Sequence, residues 1–153
     1  MNKPSCLLML AALVALPASG QARPAKASSL TERNRAIISD FAQIFYGKRD
    51  VRTAFNRYVA PDYIQHNAGI LDGRDEAIAA LEPMFSQPEA RFEVKRIIVD
   101  GNMAVIHLYG RAGSVGSGGT VADIYRLKDG KIVEHWDILQ PIAANTKNPH
   151  PYF

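Results

Sequence analysis

The sequence predicts an α+β domain in which N-terminal helices pack on one face of an antiparallel sheet. Before Pro88, apolar residues recur at helical spacing, and after it they alternate with polar residues as in strands. Asp100-Gly101 and Asp129-Gly130 each join two of these β-type runs, as expected for hairpin turns. Helices followed by a strand meander indicate that the helices lie together on one side of the sheet.

Three helices are predicted in the first half of the chain. Ser29 followed by Glu32 is a capping box that begins the first helix, and Gly47 fits its end. A second helix is predicted at 51–58 and a third at 75–85, with a short extended segment between them at 63–67. The second half contains predicted strands at 92–99 and 103–109, a Gly/Ser loop at 111–120, a hairpin over 121–141 and a tail whose end, Tyr152-Phe153, is apolar enough to dock.

The length of the turn at Asp129-Gly130 decides which polar side chains share a face of the last hairpin. If only these two residues form the loop, Asp123 pairs with Trp136, on the face opposite His135. A three-residue loop over 128–130, with a bulge and a glycine at positive φ, instead puts Asp123 opposite His135. We expect the second register, because it groups the apolar residues of the hairpin on the other face: Ile124, Ile132, Trp136 and Ile138.

In this register the hairpin carries different chemistry on its two faces. Asp137 lies two residues beyond His135, so both share a face with Asp123 and form a plausible acid–base cluster. The apolar residues on the other face need cover. We expect a homodimer through the Ile124/Ile132/Trp136/Ile138 face, with cover by the C-terminal tail as the alternative.

Residues 1–22 are expected to be a cleaved signal peptide and 23–28 a linker, which leaves 29–153 as the folded domain. Lys3 precedes an apolar run of ten residues, and small residues precede the expected cleavage point. A membrane-spanning helix needs about 20 apolar residues, so an uncleaved anchor is the weaker alternative. We therefore expect a periplasmic or secreted protein with no membrane contact after cleavage.

The charge and cysteine content exclude several classes of function. The chain has 18 Lys+Arg against 15 Asp+Glu residues, and the two signs are interleaved, so no nucleic-acid-binding surface is expected. Its single cysteine, Cys6, lies in the expected signal peptide. The mature chain therefore cannot use disulfides, a thiolate nucleophile or Cys-ligated zinc.

Four motifs resemble the SnoaL-like branch of the nuclear-transport-factor-2-like (NTF2-like) superfamily, which is named after polyketide cyclases. They are Tyr63-Ile64-Gln65-His66-Asn67, Asp72-Gly73-Arg74, Asp123-Ile124-Tyr125-Arg126-Leu127 and the segment DGKIVEHWD at 129–137. The resemblance covers roughly residues 30–141, nearly the whole domain. It implies an NTF2-like conical barrel, in which a curved antiparallel sheet wraps around a long helix and a pocket opens at the wide end.

The resemblance also implies roles for the polar cluster. In the SnoaL-like cyclases the acid–base aspartate lies on the last strand two residues after a histidine, which is the spacing of His135 and Asp137. The cyclases carry a histidine at the position of Asp123, so the chain departs from their pattern there. We expect all three residues to be catalytic, because a carboxyl group in an apolar cone is a usable acid or base and an imidazole can shuttle a proton. The alternatives are an aspartate that binds a loop amide and a buried histidine satisfied by a carboxylate.

Four further residues are expected to bind substrate: Tyr63, His66, Asn67 and His107. In related folds the segment at 63–67 caps the pocket mouth, where His66 and Asn67 can donate hydrogen bonds to a ligand carbonyl. The alternative is that these side chains cap the helix that begins after Gly73. His107 lies in an apolar strand, where a satisfied core histidine is the more common case.

We expect a cofactor-independent enzyme that performs aldol-type, isomerase or dehydratase proton transfer on a small hydrophobic carbonyl compound, with no metal. A metal site at His66, His135 and Asp137 is the weaker alternative, because no HxxxH or HExxH spacing supports it. The main alternative function is a non-catalytic binder of a small hydrophobic ligand, and the third is an interaction module that uses the outer face of the sheet. The polar cluster favours the enzyme, because a pure lipid binder would not bury such groups cheaply.

Overall fold

The computed structural model describes residues 29–114 and 116–153, so the expected signal peptide, 1–22, and linker, 23–28, lie outside the described residues. Within the described part, three α-helices, one π-helical turn and five strands make up an α+β fold. They are α1 (Leu30–Ala42), α2 (Val51–Tyr58), α3 (Arg74–Phe85), β1 (Val59–Gln65), β2 (Arg91–Asp100), β3 (Met103–Arg111), β4 (Gly119–Lys128) and β5 (Lys131–Pro141). None of the described helices has the length and apolar character needed to cross a membrane.

Helix α1 begins at the predicted capping box and ends in a wider turn. The Ser29 hydroxyl accepts a hydrogen bond from the Glu32 N–H (3.2 Å), and the Glu32 carboxylate accepts one from the Ser29 N–H (2.6 Å). Gln43–Gly47 is π-helical, and the Lys48 N–H donates to the Gln43 carbonyl (3.0 Å). Three consecutive side chains are buried in this turn: Ile44, Phe45 and Tyr46.

The sheet has the strand order β1-β5-β4-β3-β2. Strands β2 to β5 are the four antiparallel strands predicted after Pro88, and no helix interrupts the last hairpin. Strand β1, which the sequence predicts only as a short extended segment, pairs in parallel with β5. The α+β class is confirmed, whereas the sheet is mixed and open rather than an antiparallel cone, because β1 and β2 are edge strands that do not pair with each other.

The turn of the β4–β5 hairpin is shorter than predicted. Lys128 pairs with Lys131, so Asp129 and Gly130 form a two-residue loop rather than part of a three-residue one. Their φ angles are 49° and 78°. Two successive positive φ angles match the twist of a hairpin and are accessible to an Asp-Gly pair, which is the reason that the shorter loop forms.

A bulge follows the turn on β5. Leu127 pairs with Ile132, but Arg126 pairs with Glu134, so Val133 is the extra residue. The extra residue reverses the alternation of side chains along β5. Ile132, which the sequence predicts on the outer face, is therefore fully buried in the core.

The bulge nevertheless leaves the three predicted polar residues on one face. Asp123 pairs with Asp137, and Tyr125 pairs with His135. The predicted pairing of Asp123 with His135 is therefore wrong by two residues. The prediction that these residues share one face of the sheet is right. We call this the inner face, because the helices pack on it. The opposite, outer face carries Ile124, Trp136 and Ile138.

The helices pack on the inner face through a stack of aromatic rings. The ring of Phe85 lies 4.4 Å from that of Phe45 and 4.0 Å from that of Phe92, measured between centroids. Burying one such side chain contributes about 1.5–3 kcal/mol. The stack thus joins the π-helical turn, α3 and β2, and it forms one wall of the cavity beside the sheet.

Candidate functional site

A cavity of about 420 Å³ lies between the inner face of the sheet and the helices. This volume is within the range of small-molecule sites, roughly 300–1,000 Å³. Most lining residues are apolar or aromatic, and the polar side chains among them are Tyr46, Tyr63, Gln65, Asn67, Asp123, Tyr125, His135 and Asp137. The lining residues that are also exposed mark the mouth: Gly69, Met84, Asp137 and Leu139.

The wall that β4 and β5 supply contains a buried carboxyl–imidazole pair. Asp123 is 7% exposed and His135 is 8% exposed. Asp123 Oδ1 lies 3.0 Å from His135 Nε2. Polar groups at this depth cost free energy unless they are hydrogen-bonded, and each of these two has further partners.

Gln65, at the end of β1, decides where His135 carries a proton. The Gln65 side-chain oxygen, Oε1, accepts a hydrogen bond from the Asn67 backbone N–H (3.1 Å) and lies 2.9 Å from His135 Nδ1. An amide oxygen can only accept, so Nδ1 is the donor and carries a proton. The Asn67 N–H can only donate, so it fixes the orientation of the amide, and the Gln65 amide nitrogen then donates to the Tyr63 hydroxyl (3.3 Å).

The contact between His135 and Asp123 therefore holds one shared proton. Because Nδ1 is already protonated, the proton between Nε2 and Oδ1 belongs either to an imidazolium beside a carboxylate or to a neutral acid beside a neutral ring. A site that can hold its proton on either partner can act in acid–base chemistry.

Two tyrosine hydroxyls extend this network along the cavity wall. Tyr46 donates to Asp123 Oδ2, and the hydroxyls of Tyr46 and Tyr125 lie 2.7 Å apart. Burial, reinforced by the nearby carboxyl of Asp123, raises the pKa of Tyr46 and Tyr125 well above the ordinary value. Both side chains therefore stay neutral hydroxyls over the physiological range.

Asp137 lies directly opposite Asp123 on the neighbouring strand and is exposed at the mouth. Its Oδ2 accepts a hydrogen bond from the Asn67 side-chain amide (2.5 Å). The Asn67 side chain also holds its own loop, because its Oδ1 accepts from the Gly69 N–H (2.9 Å). Asp137 is thus a carboxyl group oriented by one amide and accessible from the cavity.

Five of the seven residues predicted for the site line the cavity: Tyr63, Asn67, Asp123, His135 and Asp137. The other two, His66 and His107, do not. The Tyr63 hydroxyl accepts from Gln65, so its own proton is available to a ligand oxygen. Burial raises its pKa above the ordinary value, which keeps that proton in place.

His66 points to the outer face, because it follows the inward-facing Gln65 by one residue. Its Nε2 lies 2.8 Å from Glu134 Oε1, and its ring stacks on Trp136 at 4.7 Å between centroids. The prediction that His66 donates a hydrogen bond to a ligand carbonyl in the cavity is therefore wrong, because its ring lies on the outer face. The alternative metal set of His66, His135 and Asp137 does not converge, and no group of three or more His, Cys, Asp or Glu residues in the described part is arranged to hold a metal ion.

His107 also lies on the outer face, since its neighbour Leu108 faces the cavity. Its Nε2 is 2.7 Å from the Thr120 hydroxyl, and its ring is 5.4 Å from that of Phe153. Burial, with the positive charges of Arg96 and Lys95, lowers the pKa of His107. His107 is thus a satisfied structural histidine against which the C-terminal tail docks, rather than a substrate-binding residue.

Three network residues were not predicted as site residues: Tyr46, Gln65 and Tyr125. A signal for two of them was present, because alternation along each strand puts Gln65 with Tyr63 and Tyr125 with Asp123. No comparable signal exists for Tyr46. Tyr46 lies buried in the π-helical turn, which no residue pattern indicates.

Comparison with known proteins agrees with this fold. Residues 38–135 match the family model of the SnoaL-like domain, and no curated protein matches the chain significantly. Among solved structures, the chain is similar to an NTF2-like protein of unknown function from Mesorhizobium loti, with 21% identity and a TM-score of 0.63, over 74% of this chain and 95% of that one.

Two further solved structures have names that include an activity. One is a candidate SnoaL-like polyketide cyclase from Jannaschia sp. CCS1, with 20% identity and a TM-score of 0.60, over 78% of this chain and 91% of that one. The other is a candidate ketosteroid isomerase from Kribbella flavida, with 16% identity and a TM-score of 0.60, over 77% and 85%. Identities this low show a common fold and carry no reaction with them. The family match itself spans more than half of the sequence, and the chain therefore belongs to the SnoaL-like domain family, with an NTF2-like fold.

Proposed function

We propose that this protein is a cofactor-independent acid–base enzyme that moves a proton next to the carbonyl group of a small hydrophobic compound. The observation that carries the proposal is the buried Asp123–His135 pair with one shared proton, set in a largely apolar cavity. Burying such a pair costs free energy that a purely apolar binding site would not spend.

The geometry supports a division of roles. Asp137 is the carboxyl accessible from the mouth, so it takes the proton from the carbon next to the carbonyl and later returns it to carbon. The enolate oxygen formed in between accepts a hydrogen bond from the hydroxyl of Tyr63, whose proton is not donated within the network. His135 does not touch the substrate, because both of its ring nitrogens are engaged by Gln65 and Asp123. His135 instead carries a proton of the hydrogen-bond network that it forms with Gln65 and Asp123.

One observation favours a second function, a non-catalytic binder of a small hydrophobic ligand. Neither nitrogen of His135 faces the cavity, so the polar network can also serve only to hold the wall in place. The two functions differ in one property. An enzyme exchanges substrate protons with solvent, whereas a binder does not.

Proton exchange in D₂O is the direct test. Small apolar ketones are incubated with the protein, and loss of the protons next to the carbonyl is followed by NMR. Asp137→Asn should lower the exchange rate by at least about 100-fold while the fold is kept, because the amide is nearly isosteric but cannot take a proton. Asp100→Asn removes an exposed carboxyl group at the β2–β3 turn and should leave the rate unchanged. If ketones bind but the wild type exchanges no faster than Asp137→Asn, the protein is a binder.

Two expectations about the whole protein remain proposals. We propose that residues 1–22 direct export to the periplasm or the medium, supported by Lys3, the apolar run that follows it and the small residues before the cleavage point. We also propose a homodimer through the outer face. Ile138 is 63% exposed there, beside Ile124 and Trp136, and such a face is normally covered. Ile132 is not part of this surface.

A further inference from the structure

The charges around the cavity bear on which ligands it can accept. Among the described residues that line the cavity there is no lysine and no arginine. The lining carries two carboxyl groups, Asp123 and Asp137, and one imidazole, His135. An anionic ligand would therefore find no lysine or arginine to pair with, and the ring nitrogens of His135 are already engaged by Gln65 and Asp123.

The hydrogen-bond donors of the network are already engaged. Nδ1 of His135 donates to Gln65, Nε2 faces Asp123, and the proton of Tyr46 is donated to Asp123 as well. Among the tyrosines of the network, Tyr125 donates to the Tyr46 hydroxyl, which leaves the proton of Tyr63 available. This neutral hydroxyl can bind a carbonyl oxygen, but it cannot supply the charge that a buried anion needs.

Asp137 adds repulsion at the entrance. It is exposed at the mouth, and its hydrogen bond in the structure is to the neutral amide of Asn67. No salt bridge compensates its charge within the described part of the chain. A carboxylate, sulfonate or phosphate that enters must pass this negative charge, which weakens its binding by Coulomb repulsion.

We propose that the cavity selects uncharged apolar molecules and rejects those that carry a carboxylate, sulfonate or phosphate group. The inference rests on the proposed function only in taking this cavity as the ligand site, and it narrows the substrate to neutral carbonyl compounds such as ketones, aldehydes, esters and lactones. Free acids and phosphorylated or otherwise anionic carrier-bound compounds are excluded.

Two fluorescent probes that share one ring system test the proposal. N-phenylnaphthylamine is uncharged, and anilinonaphthalene sulfonate is the same ring system with one negative charge. Each is titrated into the wild type and into Ala80→Phe, which fills the cavity from α3. Only the part of the fluorescence change that Ala80→Phe removes is counted as binding in the cavity.

The wild type should bind the neutral probe at least about tenfold more tightly than the sulfonate. Asp137→Asn should reduce this ratio by at least about threefold, because it removes the negative charge at the mouth. Asp100→Asn, which removes the same charge far along β2, should leave the ratio unchanged and serves as the matched control. Thermal melts confirm that the variants are folded.

Three outcomes would overturn the proposal: equal cavity affinity for the two probes, no cavity binding of the neutral probe, or a ratio that Asp137→Asn leaves unchanged. The comparison of the two probes in the wild type needs Ala80→Phe as its reference but does not depend on whether Asp137→Asn folds. Failure of the proposed function gives a different result. If ketones exchange no protons while the probe selectivity holds, the protein is a binder of neutral ligands, and if exchange occurs while both probes bind equally, only the charge selection is wrong.

Discussion

Gln65 controls the proton position on His135, although it carries no charge and performs no chemistry. Its oxygen accepts from both the Asn67 N–H and His135 Nδ1, so it ties the mouth loop to the buried pair. Gln65→Leu should remove the acceptor and free the ring to lose its Nδ1 proton. The buried N–H groups left without a partner should cost about 1–3 kcal/mol of folding free energy each.

Nitrogen NMR of the His135 ring measures this effect without any substrate. The wild type should show a protonated Nδ1, and Gln65→Leu should not. Gln65→Glu keeps an acceptor oxygen at the same position and should restore the Nδ1 proton. An unchanged Nδ1 signal in Gln65→Leu would mean that Gln65 only fills space.

The buried tyrosines predict a loss of stability in alkali. Burial raises the pKa of Tyr46, Tyr63 and Tyr125 above the ordinary value of 10.0. Above that pH the unfolded chain releases these protons and the folded chain keeps them, so the free energy of unfolding falls as pH rises. The decrease is up to about 1.4 kcal/mol per pH unit for each tyrosine, and it is absent below the unfolded pKa.

Urea denaturation on both sides of pH 10 measures this decrease. Tyr125→Phe removes one of the three groups, so the dependence of its unfolding free energy on pH should be shallower than that of the wild type by about one tyrosine's share. Parallel curves for the two proteins would show that Tyr125 ionises as readily in the folded state as in the unfolded one.

The candidate site was predictable from sequence only where alternation decides it. Asp123, His135 and Asp137 share a face for two reasons. His135 and Asp137 are two residues apart on β5, and the bulge at Val133 offsets the shorter loop, which keeps both on the face of Asp123. His66 is predicted in the cavity because the segment at 63–67 caps the pocket mouth in related folds, although alternation from Tyr63 puts it on the outer face. The shared proton of Asp123 and His135 depends on contacts between β1, β4 and β5, and sequence spacing along one strand cannot show it.

At the level of elements, the β4–β5 turn illustrates how two local preferences combine. The chain takes the short loop, because Asp-Gly suits two positive φ angles, and the bulge at Val133 then restores the face of the polar residues. The sequence predicts a bulge within the loop at Gly130, whereas the structure has a two-residue loop and places the extra residue at Val133 on β5. The π-helical turn at Gln43–Gly47 is not predicted either, because Gly47 indicates only where the helix ends.

Backbone strain at this turn can be measured. Gly130 has φ of 78°, and a Cβ there would meet only Ile37 Cδ1 at 3.9 Å, so space is no obstacle. Gly130→Ala should still cost about 1–2 kcal/mol, because an alanine disfavours positive φ. Gly47→Ala is the control: Gly47 also has open space, but its φ is not positive, and its substitution should be neutral or stabilising. Equal losses in urea denaturation would point to a cause other than φ.

For the whole molecule, the proposed dimer predicts a change of oligomeric state. Trp136→Glu should place an unpaired charge in the interface and give a monomer by light scattering. Because Trp136 also stacks on His66, Ile138→Glu is the second variant, and its side chain is mainly exposed. Leu71→Glu is the control, since Leu71 is 72% exposed in a loop outside the sheet. A dimer that survives both outer-face substitutions with unchanged thermal stability would rule out this interface.

The bulge at Val133 has a consequence for how mutations along β5 would be distributed. Beyond the bulge, Glu134, Trp136 and Ile138 face outward while His135 and Asp137 face the cavity, and before it the even-numbered Ile132 faces the core. A complete substitution scan of this strand should therefore separate into two interleaved phenotypes, one affecting ligand chemistry and one affecting assembly. The phase of that two-residue pattern should reverse at Val133, so the position of the bulge can be located from phenotypes alone.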